Sequence, residues 1–290
     1  MTKRAFLVGI NKYKENPLSG CVNDIIDMRD YLIGSGFAAD DVRTLLDERA
    51  GVEQIISRLH WLRVGAQAGD QLVFHFSGHG TTIRRWEGNL LALGADACLV
   101  PYDYNWKYDH SFITDGDIDE IFHDLPPGVN LTMIFDSCHS GGMRDLPPPG
   151  SKRAVRRALC VLRDSTNTLP RECVRYLAPP QDVAWRVTGR NVQQRALGSW
   201  LQPDSTEPYR TLCACQADQT AADSVFDVEG ALGTLRANGA FTWALLKSLR
   251  VGPARTWVQI IEDAKNFLKE DGFSQMPVLS GSPAAMNTYP

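Results

Sequence analysis

The stretch Asn130-Leu131-Thr132-Met133-Ile134-Phe135-Asp136-Ser137-Cys138-His139-Ser140-Gly141-Gly142 decides how this chain is read. It begins as an apolar run of strand length, ends on a cysteine and turns on glycine. A second stretch, Asp70-Gln71-Leu72-Val73-Phe74-His75-Phe76-Ser77-Gly78-His79-Gly80, has the same grammar and ends on a histidine framed by glycines. Two such runs predict neighbouring strands of one sheet, with a site at their carboxyl ends. Cysteine supplies a nucleophile and histidine a proton carrier, the minimum equipment of a cysteine hydrolase.

Working outward, strands and helices alternate. Strand readings fall on Arg4 to Ile10, Val42 to Leu46, Asp70 to Phe76 and the run to Cys138, and helix readings on Cys21 to Ile33 and Gly51 to Val64. The alternation predicts a mostly parallel sheet with helices on both faces. Thr81 to Gly94 reads as a connection, Asp96 to Pro101 as a short extended segment and Tyr102 to His110 as a surface loop. A helix through Phe122 follows, with Thr114 or Asp115 as its cap. From 147 to 208 the chain turns basic and proline-bearing, with Ala154 to Leu162 suited to one amphipathic turn or two. Regular structure resumes with a strand over Tyr209 to Cys215, a polar loop from Asp218 to Asn238, helices over Gly239 to Leu249 and Thr256 to Lys269, and a last strand at Met276 to Leu279. The division is 1–146 with both reactive side chains, 147–208 as a basic linker and 209–290 as a smaller part, together one catalytic domain.

Composition bounds the function. The 290 residues carry a formal charge of -4 and are 43% hydrophobic, enough for a sizeable core and contrary to a dedicated nucleic-acid binder. Seven cysteines, scattered and without C-x-x-C pairs, suggest a reducing compartment without disulfides or a zinc ribbon. The apolar run Ala5 to Ile10 is short for a signal peptide, and no run approaches the ~20 residues of a membrane span, so the expected location is the cytoplasm. His75 reads as a packed strand residue, His139 as a turn residue, Cys21 as a rival thiol without a strand-end setting, and Cys213 and Cys215 as mid-strand core. Asn23, Asp24, Asp27 and Asp30 read as the solvated face of the first helix, Asp24 being favoured near its positive end.

Ser77-Gly78-His79-Gly80 and Asp136-Ser137-Cys138-His139-Ser140-Gly141 resemble the two catalytic motifs of metacaspases and their bacterial relatives in the caspase-like clan. Gly20-Cys21-Val22-Asn23-Asp24, Asp96-Ala97-Cys98-Leu99-Val100-Pro101, Gln216-Ala217-Asp218-Gln219-Thr220-Ala221-Ala222-Asp223 and Gly239-Ala240-Phe241-Thr242 extend the resemblance over nearly everything but the basic linker. It implies a caspase-like α/β sandwich of about six mostly parallel strands. It makes Cys138 the nucleophile, His79 the general acid and base, and backbone N–H groups at Gly80 and Cys138 the oxyanion donors. Metacaspases cleave after arginine or lysine. The resemblance puts the acidic S1 pocket on Asp24, Ser77 and Asp136, and so moves Asp24 off the solvated face.

The resemblance also implies calcium as a candidate activator. Asp96, Asp115 and Asp145 match the family's positions, and Gly116 stands where a further aspartate is expected, with Asp117 one later. No other cofactor is implied. The expected enzyme is a thiol endopeptidase made as a zymogen and self-processed in the basic linker, acting as a monomer on basic protein substrates, and read as a form without the proline-rich prodomain. Two alternatives remain: an inactive caspase-like scaffold that binds a protein partner through the linker and whose cleft is blocked or misaligned, and a clostripain-like peptidase, which lacks the Asn23-Asp24 signature.

Overall fold

A computed structural model describes residues 1–85, 94–138, 151–152, 173–180, 209–216, 219–227, 235–252, 255–288 and 290. Its strands in chain order are β1 (Lys3–Gly9), β2 (Val42–Leu46), β3 (Gln71–Ser77), β4 (Gly80–Arg85), β5 (Gly94–Leu99) and β6 (Ile113–Thr114). Then come β7 (Asn130–Asp136), β8 (Cys173–Val174), β9 (Arg210–Cys213), β10 (Ala222–Asp227), β11 (Leu235–Gly239) and β12 (Val278–Gly281). The helices are α1 (Cys21–Gly34), α2 (Val52–Arg63), α3 (Asp115–Phe122), α4 (Ala240–Leu249), α5 (Trp257–Asp271) and α6 (Pro283–Met286).

Six strands form the central sheet in the order β12-β9-β7-β3-β1-β2. All neighbours run parallel except β12, which lies antiparallel to β9. The central strands read as continuous apolar runs because both faces are covered. Phe6 and Val8 of β1, Phe74 and Phe76 of β3 and Met133 and Phe135 of β7 share a core with Ile55, Leu59 and Leu62 of α2 and Ile118 and Phe122 of α3. On the other face Leu7, Val73 and Ile134 meet Ile25 and Met28 of α1, Phe241 and Leu245 of α4 and Ile260 of α5. Phe74 stacks on Phe6 at 5.5 Å and meets Phe135 edge-on at 5.8 Å, so Phe74→Ala removes the middle of this aromatic column. Such a truncation costs about 3–5 kcal/mol.

Local signals set the helix ends. Thr114 caps α3 in a reciprocal capping box with Asp117, which settles the choice between Thr114 and Asp115. Thr256 and Gln259 do the same for α5, and Gly272 ends that helix in the left-handed region at φ 90°.

Three readings need correction. The expected connection after Thr81 carries β4, which pairs antiparallel with β5. The expected polar loop Asp218 to Asn238 contains β10 and β11, an antiparallel pair whose polar residues Asp223, Ser224 and Asn238 are buried. Cys215 is not mid-strand, because β9 ends at Cys213. The amphipathic stretch Ala154 to Leu162 lies outside the described residues.

Candidate active site

Parallel register brings the two motifs to one edge. Ser77 at the end of β3 pairs with Asp136 at the end of β7, and the Gly78 N–H donates to the Asp136 carbonyl at 3.3 Å. His79 and Cys138 therefore each leave the sheet two residues past a matched pair. The turn at His79 is pinned by Tyr13, whose hydroxyl accepts from the His79 N–H at 3.0 Å and donates to the Val100 carbonyl at 2.8 Å.

The imidazole is oriented by backbone. His79 Nε2 lies 2.6 Å from the Asn16 carbonyl, and Asn16 holds a left-handed φ of 51°. A carbonyl only accepts, so Nε2 carries the hydrogen and Nδ1 keeps its lone pair. Nδ1 is buried without a hydrogen-bond partner among the described residues. Burial lowers the His79 pKa to about 4, with the Asn16 carbonyl pulling the other way and the Arg175 charge adding to the fall. A neutral imidazole at pH 7 is the form that takes a proton from a thiol.

Backbone N–H groups beside both motif residues face one carbonyl oxygen, that of Arg175. It accepts from the Gly80 N–H at 3.0 Å and from the Cys138 N–H at 3.1 Å. These are the two donors expected for an oxyanion, at the distances that stabilise one. The Arg175 N–H donates to the Ala221 carbonyl at 3.1 Å, β8 runs antiparallel to β10, and Leu177 N–H donates to the Gly80 carbonyl at 3.0 Å. The Ala221 N–H in turn points at Cys138 Sγ, 2.6 Å away. A segment of the chain itself thus lies through the site as an added strand, the way a peptide substrate binds a sheet edge.

The Arg175 side chain drops into the acidic pocket with no exposed surface. Nη2 reaches Asp24 Oδ2 at 2.8 Å and Asp223 Oδ1 at 2.8 Å, and Nη1 donates to Ser77 Oγ at 2.8 Å. Nη1 also meets Asp136 Oδ1 at 3.1 Å as an ion pair that lacks hydrogen-bond alignment. Each carboxylate is aimed by its other partners. Asp24 accepts from Ser77 Oγ at 2.8 Å and from the Gly239 N–H at 2.9 Å. Asp136 accepts from Thr242 N–H at 2.8 Å and Oγ1 at 2.7 Å, and Asp223 from the N–H of Ser19 at 2.8 Å and of Gly20 at 3.0 Å. A Cβ on Gly239 would collide with the Asp136 carboxylate and the Arg175 guanidinium, so only glycine fits this wall.

Three carboxylates against one cation leave the pocket short of positive charge. Burial pushes Asp136 up to about 6 despite the attraction of Arg175, with Asp24 adding to the rise, and burial likewise raises Asp223. For Arg175 burial works against the charge, but the pull of Asp136, Cys21, Asp24 and Asp223 together holds its pKa well above the usual value.

The structure therefore gathers His79, Cys138, Gly80, Asp24, Ser77 and Asp136, and corrects two readings. Asp24 is fully buried rather than on a solvated helix face. The groove is not open to solvent: His79 and Cys138 are both buried beneath the segment around Arg175. A blocked cleft is also what the inactive-scaffold alternative expects; here the block is the chain's own segment, with the Arg175 side chain seated among the carboxylates.

The sequence reading missed Asp223 and Arg175. Asp223 closes the quoted Gln216 to Asp223 motif, which was the available signal; nothing singled Arg175 out among the linker's arginines. His75 is packed, with Nε2 3.3 Å from Thr242 Oγ1, and burial lowers its pKa to about 3. Cys21 is buried beside the pocket, and burial pushes its thiol well up.

Of the expected calcium ligands, Asp96 on β5 and Asp115 at the start of α3 are both buried. Asp96, Asp115 and Asp117 all press on the thiol of Cys98, which burial first and these charges next hold well above its usual pKa. Asp117 accepts from Thr114 N–H at 2.9 Å and Oγ1 at 2.8 Å in the helix cap. Among the described residues no three His, Cys, Asp or Glu side chains are gathered as a metal cluster. Asp145 and His139 lie outside the described residues. No helix of the described residues is long and apolar enough to cross a membrane.

Comparison with known proteins gives concordant results. A family model described as the metacaspase peptidase C14 domain matches residues 3–147. Metacaspase-1 of Meyerozyma guilliermondii is 31% identical over 98% of this chain and 71% of its own length. Metacaspase-1 of Scheffersomyces stipitis is also 31% identical, over 98% of this chain and 72% of its own. Among solved structures, a protein from Geobacter sulfurreducens matches with a TM-score of 0.64 at 20% identity, covering 100% of this chain and 98% of the other. Caspase-1 from Spodoptera frugiperda matches with a TM-score of 0.55 at 10% identity, covering 96% and 86%. The two structural likenesses speak for a caspase-like sandwich.

Proposed function

This chain belongs to the metacaspase family and is a cysteine-type endopeptidase, and from that premise we propose that it cleaves after arginine or lysine by a Cys138/His79 dyad. One observation carries the specificity: a guanidinium is received by Asp24, Asp136 and Asp223 while the carbonyl of the same residue sits between two backbone N–H donors. A pocket with three carboxylates favours a planar cation and rejects an aspartate by like charge.

In this reading His79 takes the Cys138 proton at Nδ1, and the sulfur adds to the carbonyl carbon of the basic residue. The oxygen takes up negative charge between the Gly80 and Cys138 N–H groups. Imidazolium then protonates the departing amine, and neutral His79 draws a proton from the water that breaks the thioester. The test uses fluorogenic peptides: Arg-P1 and Lys-P1 are turned over, Asp-P1 is not, and Cys138→Ala abolishes turnover. Efficient Asp-P1 hydrolysis would remove the pocket from the account.

Self-processing in the basic linker, action as a monomer and a cytoplasmic setting are parts of the same proposal. Calcium belongs to it as an activator only. Asp96 and Asp115 are buried carboxylates on adjoining elements, the charged oxygen donors that calcium takes. They are too few by themselves, so no step is assigned to the ion. Titrating metal and chelator while following peptide hydrolysis decides the point, and identical rates throughout would dismiss it.

A further inference from the structure

We propose that Cys173-Val174-Arg175 is a built-in product inhibitor: the enzyme cuts its own Arg175–Tyr176 bond, and the new end at Arg175 stays in the groove, so cutting and opening are separate events. This rests on the Arg/Lys-specific reading above and goes on to the regulation of the same site.

The bond is identified by its neighbours. The Arg175 carbonyl is the one held by Gly80 and Cys138 N–H, the residue before it pairs with Ala222, and the second residue after it donates to Gly80. The strand is thus held on both sides of a single peptide bond. Attack by the Cys138 sulfur on this carbonyl releases Tyr176 as an amine protonated by His79. One water then breaks the thioester, which leaves a carboxylate on Arg175 and returns the thiol. The segment is already seated in its own chain, so the first cut is unimolecular.

What the cut removes is only the covalent link to Tyr176. The pairing of β8 with β10, the Arg175 N–H to Ala221 bond and the three carboxylates on the guanidinium do not depend on that link. The cut end gains a second oxygen facing the Gly80 and Cys138 donors. It also remains joined to the large part of the chain through residues 139–172, so its effective concentration is of the order of millimolar. A free peptide competes against that. Opening requires β8 to peel from β10.

The experiment follows the full chain by intact mass, at two protein concentrations tenfold apart. Expected are fragments 1–175 and 176–290, formed at the same fractional rate at both concentrations. A first cut elsewhere, or a rate that scales with concentration, overturns the assignment. Fully cut protein is then compared with Arg175→Gln on an Arg-P1 peptide. The cut protein is expected to have at least a tenfold lower kcat/KM, and equal values would mean that cutting alone opens the groove. Cys173→Pro keeps Arg175 but takes away the β8 N–H that faces β10 at the Asp223 pair, and serves where Arg175→Gln fails to fold; it too is expected to exceed the cut protein. Hydrolysis of the Arg-P1 peptide by these variants without any cut at Arg175 in the wild type would sink this inference and leave the specificity reading standing. Hydrolysis of Asp-P1 instead would sink the reading itself.

Discussion

Two buried arginines stand at opposite ends of the central sheet and are held in opposite ways. Arg175, past the carboxyl ends of the strands, meets three carboxylates, and its pKa is held well above the ordinary value. Arg210, opposite Thr132 near the amino end of β7, bonds neutral acceptors: its Nε donates to the Ala285 carbonyl at 3.1 Å and its Nη1 to Thr132 Oγ1 at 2.9 Å. Its guanidinium lies 5.7 Å from the Trp257 ring, and burial lowers its pKa to about 10. Arg210 is a strut that ties β9 to β7 and α6. Arg175 is seated as a ligand, and what seats it is charge that any incoming arginine could use.

The largest effect expected from this contrast is on turnover. Asp24→Ala or Asp136→Ala removes a charged partner of a buried cation, a loss of about 2–5 kcal/mol. Arg-P1 kcat/KM should therefore fall about 30-fold or more, carried mainly by KM, while Arg210→Met leaves it within about twofold. Normal Arg-P1 cleavage by both aspartate variants would dissolve the distinction.

Stability sharpens it next. In a Cys138→Ala background, Arg175→Met strands three carboxylates, and urea unfolding at pH 7 should show a loss of about 3–5 kcal/mol. Asp136 and Asp223 have folded pKa values raised above the unfolded value of 3.8. Stability from such groups is present at low pH and lost as pH rises through the folded pKa, about 6 for Asp136. The Arg175→Met deficit should therefore shrink as pH is lowered from 7 to 5. Arg210→Met should cost about 1–2 kcal/mol, with no pH dependence over that range. Equal and pH-flat losses would make both arginines struts.

A smaller effect belongs to His75, whose pKa burial lowers first and the Arg175 charge second, to about 3. Its neutral form is favoured by the fold, so its contribution is complete above the unfolded value of 6.5 and is lost as pH falls toward 3. His79 acts in the same direction and Asp136 against it. His75→Asn should reduce the slope of stability against pH below 6.5 by up to one proton, about 1.4 kcal/mol per pH unit. Smallest and remote from both arginines, Thr256→Ala removes the α5 cap for about 1 kcal/mol and should leave peptide hydrolysis unchanged.

The central strands were legible because burial on both faces writes itself as a nearly continuous apolar run, as at Leu72 to Phe76, broken by His75 alone, and Leu131 to Phe135, broken by Thr132 alone. β10 and β11 were not, for a reason tied to the site. Asp223 and Asn238 are buried because they build the pocket wall, so their strands carry polar residues where a core strand would carry apolar ones. Asp24 shows the limit of local reading: a carboxylate in a first helical turn has a sufficient local explanation, and only tertiary placement shows Ser77, Asn238 and Gly239 around it. Arg175 was out of reach altogether, since one arginine in a basic stretch differs from its neighbours only by where the chain can reach.

The Asn16 carbonyl has a consequence for anyone who would disarm the histidine. Side-chain exchange cannot delete a main-chain oxygen, so the grip on Nε2 survives any replacement that tolerates φ 51°. A β-branched residue there would twist the oxygen away. The imidazole proposed as proton carrier is thus aimed by a bend in the chain, and the shape of that bend is where it can be disturbed.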